Sequence, residues 1–160
     1  MKWITRERPK IDRIACPWLI LRFLDPAAEF FFVPPDQVMP RAAALGATPF
    51  DVEGVELSHV GPLCSFDALL AKHQLHDPAL ADLARIVRGA DTAVLELAPE
   101  AAGLLAISLG LSQLFSDDQE HLRHGLVIYD ALYAWLTRAR SERHTWNPQR
   151  TPRANASPGA

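Results

Sequence analysis

Residues 2–33 read KWITRERPKIDRIACPWLILRFLDPAAEFFFV, and this stretch decides the fold. Residues 2–5 are predicted to form a short strand, and residues 29–33, which are largely aromatic, a buried strand. Between them, apolar residues recur every three or four positions and predict a helix over 12–24. Pro17 fits only the first turn of a helix, so the regular helix is predicted to begin there, with Cys16 as its cap. A strand, a helix and a strand in this order predict a βαβ unit with parallel strands.

The remainder of the chain is predicted to be mostly helical. Short extended segments over residues 49–59 suggest a hairpin or a ragged sheet edge. The periodicity and the capping residues predict helices over residues 36–45, 66–74, 78–88, 103–115 and 117–138. The expected fold is therefore α/β, tending to mostly helical, with a small mixed sheet from the N-terminal βαβ unit packed against a C-terminal helical bundle. We expect one globular domain over residues 1–140 and a disordered tail over 141–160.

Composition narrows the class of protein. The 160 residues are 49% hydrophobic and 22% charged, which is ordinary for a globular domain. No run approaches the roughly 18 apolar residues of a membrane helix, and the N-terminus lacks the apolar core of a signal peptide. We therefore expect a cytoplasmic protein without a membrane partner. Basic residues cluster at the two ends around an acidic middle, so nucleic acid is an unfavoured partner.

The first candidate site lies around the predicted start of the first helix. Free backbone N–H groups at a helix start, together with nearby cations, bind anions and lower the pKa of a thiol. The residues that supply these groups are Arg8, Lys10, Arg13 and Cys16. The alternative is structural, with a buried cysteine and a surface ion pair between Asp12 and an arginine.

The second candidate site is a short segment between the sheet and the helices. Glu56, His59, Cys64 and Asp67 fall within twelve residues, and each side chain is a competent metal ligand. Their spacing matches no standard zinc pattern. The alternative is that the histidine is structural and that Asp67 caps the following helix.

The third candidate site lies on the last predicted helix. Glu120 and His124 are four residues apart and therefore share one helix face, where they could bind a divalent metal together with His59. Asp130 lies near the buried face and needs a partner, either Arg13 or Arg88 structurally or a metal functionally. The alternative is a solvated polar face. No glycine-rich phosphate loop is found, so no nucleotide cofactor is expected.

Several segments together resemble the C-terminal domain of the chromate-resistance (ChrB-type) family. The resemblance covers about residues 3–136 and lies in segments 13–20, 32–34, 49–51, 64–67, 86–92, 97–100, 106–111 and 129–135. It implies a bacterial cytoplasmic protein of chromate resistance or chromate-responsive regulation. Longer family members carry a further N-terminal region that is associated with DNA binding, and this chain corresponds to the shorter module.

The resemblance and the residues together give the expected function. We expect a chromate-responsive module that binds chromate, a similar small anion or a metal ion in a polar pocket where Arg13, His59, Arg88 and Asp130 converge. The expected ligand-binding residues are Arg8, Lys10, Arg13, Cys16, Cys64, Asp67, Arg88 and Asp91, and the expected metal ligands are Glu56, His59, Glu120, His124 and Asp130. The cofactor would be a divalent transition metal. The alternatives are a metalloenzyme or a thiol-based redox protein. No catalytic set is identified, so an enzyme is less favoured, and a homo-oligomer is compatible with the sequence.

Overall fold

Three strands and six α-helices follow one another in the computed structural model, which describes residues 1–144. The strands are β1 (Lys2–Arg6), β2 (Glu29–Val33) and β3 (Thr48–Pro49). The helices are α1 (Asp12–Leu19), α2 (Val38–Leu45), α3 (Ser65–Lys72), α4 (Pro78–Asp91), α5 (Ala101–Leu114) and α6 (Asp118–Ala134). The greater part of the predicted disordered tail, residues 145–160, lies outside the described residues.

The sheet has the strand order β2-β1-β3, and both pairs of neighbours are parallel. Trp3 is paired with Phe30 and Ile4 with Pro49. This arrangement confirms the βαβ unit and the mostly helical α/β class. The predicted mixed sheet is wrong in one detail, because β3 joins β1 in parallel. The hairpin suggested over residues 49–59 is absent from the described sheet.

The two faces of the sheet are covered by different helices. Trp3 and its neighbour Phe30 pack into the main core together with residues of α1, α3, α4, α5 and α6. Ile4, which faces the other way, packs with residues of α2. The connections that follow β1 and β2 therefore leave on opposite faces of the sheet. Such a reversal opens a crevice beyond the carboxyl ends of the strands, which is where ligands bind in open parallel sheets.

Helix α1 begins earlier than the sequence predicted. It starts at Asp12 and contains Pro17, and a π-helical turn (Ile20–Leu24) continues it. A tertiary contact lies at this start, where the hydroxyl of Tyr129 donates a hydrogen bond of 3.0 Å to the carbonyl oxygen of Ile11. The same carbonyl accepts the first helical bonds from the backbone amides of residues 14 and 15. The cap predicted at Cys16 is therefore wrong.

Helix α4 ends later than predicted. It continues through Gly89 to Asp91. Gly89 also allows α5 to approach closely. A Cβ atom at this position would lie 2.9 Å from the Cβ of Ala101. The longer helix carries Asp91 to the carboxyl edge of the sheet. No helix within residues 1–144 combines the length and the apolar character needed to cross a membrane.

Candidate functional site

Arg6 and Asp51 mark the crevice beyond the carboxyl ends of β1 and β3. Asp51 follows β3 with a positive φ of 51°, an unusual conformation for a residue other than glycine. Arg6 donates a hydrogen bond of 2.9 Å to Oδ2 of Asp51 and another of 3.1 Å to its carbonyl oxygen. The hydroxyl of Ser65 donates a bond of 2.8 Å to Oδ1 of Asp51. The two strand ends are thus fastened together by side chains.

Asp12 is a buried carboxylate at the start of α1. Its side chain is only 1% exposed. Oδ2 accepts a hydrogen bond of 2.5 Å from the backbone N–H of Ser65, the first residue of α3. Oδ1 is buried and has no hydrogen-bond partner among the described residues. A buried carboxylate oxygen without a partner is costly, so this position is unfavourable as it stands.

His59 connects three carboxylates at this crevice. Its Nε2 lies 3.0 Å from Oδ2 of Asp91, 3.5 Å from Oδ2 of Asp12 and 3.6 Å from Oδ1 of Asp51. The backbone N–H of Asp12 also donates a long hydrogen bond of 3.4 Å to Asp91. The side chain of His59 is 41% exposed, whereas that of Asp91 is 16% exposed. The cluster is therefore closed on the side of the helices and open at His59.

The close approach of these titratable groups and their burial shift their pKa values. The contact with Asp12, followed by the charges of Asp91 and Asp51, raises the pKa of His59 to about 9. Burial, followed by the neighbouring carboxylates, raises the pKa of Asp91 to about 7. Burial is also the main reason that the pKa of Asp12 lies above its ordinary value. The cluster therefore retains protons that the separate groups would lose at neutral pH.

The distances in the cluster fit those between ligands around one cation. The ligand atoms of Asp12, His59 and Asp91 all lie within 4.8 Å of one another, and residues 1–144 contain no other such group of three. Two ligands that each bind a metal at about 2.1 Å lie about 3.0 Å apart at a right angle and about 3.4 Å apart at a tetrahedral angle. Two carboxylates and one imidazole form a donor set that suits divalent first-row metals.

The predicted basic residues are engaged in separate contacts. Arg13 lies near the cluster, with its Nε 3.3 Å from Oδ2 of Asp51, and it also donates to the carbonyl oxygens of residues 6 and 7. The guanidinium group of Arg8 donates to the carbonyl oxygen of Ser112. Burial lowers the pKa of His121, and the charges of Arg8 and Lys10 add to that effect. These three side chains do not form a common anion site around Cys16.

Cys16 and Cys64 are buried free cysteines. Burial, followed by the charge of Asp12, raises the pKa of both thiols, so neither environment favours a reactive thiolate. Asp67 accepts a hydrogen bond from the backbone N–H of Cys64 and caps α3, which agrees with the structural interpretation. Arg88 donates a bond of 2.8 Å to the other oxygen of Asp67. Of the predicted ligand-binding residues, Arg13, Cys64 and Asp91 interact with the cluster through their side chains, Cys64 through a hydrogen bond with Asp12.

Four of the five predicted metal ligands pair elsewhere. Glu56 forms an exposed ion pair with Lys72, and Glu120 forms one with Arg123. His124 stacks on Phe115 at a centroid distance of 4.4 Å. Asp130 accepts hydrogen bonds from Arg22 and Trp18, so neither Arg13 nor Arg88 is its partner. The structure does not bring these four side chains to His59, because ordinary ion pairs and stacking hold them on other faces.

Asp12 and Asp51 are not among the site residues predicted from the sequence. Each is an acidic residue shortly after a strand, and the carboxyl ends of parallel strands meet at one edge of a sheet. This pattern identifies the two acidic residues as neighbours only when β3 is known to lie parallel to β1. The predicted convergence holds for Arg13 and His59, whereas Arg88 reaches the region only through Asp67 and Asp130 lies apart.

Comparison with known proteins supports the resemblance seen in the sequence. The family described as the C-terminal domain of ChrB matches residues 3–136. Protein ChrB of Cupriavidus metallidurans is 34% identical over 140 residues, which cover 87% of this chain and 42% of that protein. The chain thus spans about two fifths of the length of this relative. No solved structure matches the chain. The chain belongs to the ChrB C-terminal domain family.

Proposed function

We propose that this chain is the cation-binding module of a chromate-resistance system, and that Asp12, His59 and Asp91 hold one divalent metal ion. The observation that carries the proposal is the buried Asp12, whose Oδ1 has no partner within residues 1–144. A cation among three carboxylates would offset the repulsion between Asp12, Asp51 and Asp91, and ligation through Oδ1 of Asp12 would also satisfy the oxygen that has no partner. The family supports the link to chromate.

The donor set favours a particular class of cation. Carboxylate oxygens and an imidazole nitrogen suit Mn²⁺, Fe²⁺ or Zn²⁺, whereas Cu⁺ prefers sulfur ligands. The two thiols are buried and their pKa values are raised, so they would not supply thiolates. Backbone N–H groups would hold two of the ligands in place, because that of Ser65 donates to Asp12 and that of Asp12 donates to Asp91.

The positions of the basic residues argue against direct capture of an oxyanion at the start of α1. The guanidinium groups of Arg8 and Arg13 bond to carbonyl oxygens or to Asp51. An oxyanion placed directly beside Asp12 and Asp91 would meet carboxylates of the same sign. The role in chromate resistance would therefore depend on the bound cation.

Isothermal titration with Mn²⁺ and Zn²⁺ tests the cation site. Wild-type protein is expected to bind one equivalent, and Asp91→Asn and His59→Gln are each expected to weaken binding more than about tenfold, because each removes a ligand. Glu56→Gln and His124→Gln are matched controls, since they remove the same groups at exposed positions, and both should bind as the wild type does. Equal binding by all five proteins would rule out this cluster as the site.

Growth under chromate tests the link to resistance. In a bacterial host that the wild-type chain makes more chromate-tolerant, Asp91→Asn should abolish the gain and Glu56→Gln should retain it. If the wild-type chain confers no tolerance, the chromate assignment fails while the cation site stands. If Asp91→Asn confers full tolerance, the cation site does not serve the chromate response.

A further inference from the structure

A solvent-open cleft adjoins the cluster. Its volume is about 430 Å³, and His59 and Asp51 line both the cleft and the cluster. Its other lining residues are Arg6, Ser58 and the segment 52–55. A cleft of this size admits a small molecule rather than only water.

The cluster would leave the cation accessible from this cleft. Three protein ligands do not complete the coordination of a divalent metal, and sites of this kind keep a position for an exogenous ligand. Asp12 is fully buried and the side chain of Asp91 is 16% exposed, whereas that of His59 is 41% exposed. The accessible side of the cation would therefore be the side of His59, which is also a wall of the cleft.

The site would become positive when the cation binds. Without a cation, the charges of Arg6, Arg13 and the protonated imidazole of His59 match those of the carboxylates of Asp12, Asp51 and Asp91. A divalent cation would displace the proton of His59 and leave one positive charge in excess, which makes the site attractive to an anion. Glu53 also lines the cleft, but it is exposed, so solvent screens its opposing charge.

Arg6 supplies hydrogen-bond donors at the cleft. A guanidinium group has five N–H donors, and the hydrogen bonds of Arg6 to Asp51 use two of its nitrogen atoms. The side chain is 40% exposed, so a ligand in the cleft would reach it. Guanidinium groups pair well with the oxygens of phosphates, carboxylates and similar anions.

We propose that this cleft binds an oxyanion only after the cation is in place, with the anion ligating the cation and accepting hydrogen bonds from Arg6. The proposal rests on the cation site proposed above. The shared chemistry is an oxygen-bearing anion, either a tetrahedral dianion or a carboxylate. Binding would be ordered, because the cation supplies both the position that the anion ligates and the excess positive charge that attracts it.

Titration of anions into the full chain, with and without saturating Mn²⁺, tests the order of binding. Sulfate, chromate and acetate are the probes, and their relative affinities distinguish a tetrahedral dianion from a carboxylate. Binding is expected only with Mn²⁺ present. Equal anion binding without Mn²⁺, or no anion binding to Mn²⁺-loaded protein, would overturn this proposal. Failure of Mn²⁺ itself to bind would instead overturn the cation site, so the two failures are distinct.

Two variants locate the anion in the cleft. Arg6→Gln should weaken anion binding to the Mn²⁺-loaded protein about tenfold, which is the loss expected for a charged hydrogen bond. Arg8→Gln is its matched control, because the Arg8 guanidinium group bonds to α5, and should change nothing. Glu53→Gln should strengthen binding at low salt, and it is an exposed substitution that tests the cleft even if Arg6→Gln disturbs Asp51. Affinities unchanged in both Arg6→Gln and Glu53→Gln would place the anion elsewhere and contradict the proposal.

Discussion

The buried carboxylate of Asp12 is an unfavourable feature of the folded protein. Its carboxylate is buried, accepts one backbone hydrogen bond and leaves Oδ1 without a partner within the described chain. Burial raises its pKa, which shows that the folded chain disfavours its charge. Residues that lower stability are often retained for binding, since a ligand can supply the missing interaction. Once His59 has lost its proton, the metal-free protein should therefore gain from losing this charge.

We predict that at a pH of about 10, above the pKa of His59, Asp12→Asn stabilises the metal-free protein by about 1 kcal/mol, because the amide keeps an acceptor for Ser65 and carries no charge. The same substitution should abolish binding of Mn²⁺ or Zn²⁺. Urea unfolding in the presence of a chelator measures the first effect, and calorimetry measures the second. A variant that is less stable and still binds the cation would show that Asp12 has a structural role instead.

The pKa values of His59 and Asp91 predict how stability changes with pH. The pKa of His59 rises from 6.5 to about 9 and that of Asp91 from 3.8 to about 7 on folding. Both groups hold protons more tightly when folded, so the stabilisation is greatest at low pH and is lost as the pH rises. For His59, the stabilisation is complete below pH 6.5 and is lost through about 9.

The metal-free protein should therefore become less stable as the pH rises between about 4 and about 9. Urea unfolding across this range, with a chelator present, measures the slope. His59→Gln should flatten the part of the curve above pH 6.5, because it removes the imidazole that titrates there. An identical pH dependence in wild type and His59→Gln would show that the imidazole is not held by these carboxylates.

Helices α1 and α6 approach each other closely at a glycine of α6. A Cβ atom at Gly125 of α6 would lie 2.7 Å from Cγ2 of Ile14 in α1. Ile14 is β-branched and buried, so it has little freedom to move. The position of α1, and with it that of Asp12, therefore depends on a small residue in α6.

We predict that Gly125→Ala destabilises the protein by about 1–2 kcal/mol, because the overpacking exceeds the gain in helix propensity. Gly110→Ala is the matched control, since Gly110 lies within α5 and nothing lies within 4 Å of the added Cβ atom. It should stabilise the protein by about 0.5–1 kcal/mol through propensity alone. Thermal or urea unfolding compares the two, and a stabilising Gly125→Ala would contradict the close contact.

Elements were easier to predict than their ends. The start of α4 follows from Asp77 and Pro78, and Asp77 accepts the expected hydrogen bond from the backbone N–H of Ala79. Helix starts and ends that lie at contacts with distant residues could not be predicted from the local sequence. Tyr129 bonds to Ile11 at the start of α1 from 118 residues away, and Gly89 near the end of α4 packs closely against α5. Local propensity carries no information about either contact.

At the scale of the whole molecule, the site joins segments that are distant in sequence. Asp12 and Asp91 are 79 positions apart, and the segment with Asp51 and His59 lies between them. The sequence predicted the mostly helical α/β fold, the βαβ unit and His59 as a candidate ligand. It could not predict the partners of His59, because ligand types alone do not distinguish Asp91 from exposed acids such as Glu56 and Glu120.

A bound cation should stabilise the whole molecule, because it connects α1, α4 and the segment over residues 51–59. At about 100 times the dissociation constant, Mn²⁺ or Zn²⁺ should add about 2.7 kcal/mol and raise the melting temperature by about 8 °C. Hydrogen exchange should slow in the 51–59 segment. An unchanged melting temperature and unchanged exchange at saturating cation would contradict the account.

The central claim is that Asp12, His59 and Asp91 hold one metal ion, and anomalous X-ray diffraction from crystals of the zinc-loaded chain tests it directly. We expect one strong anomalous peak that lies within about 2.2 Å of a carboxylate oxygen of Asp12, of Nε2 of His59 and of a carboxylate oxygen of Asp91. A fully loaded crystal whose anomalous peaks all lie away from these three side chains would contradict it.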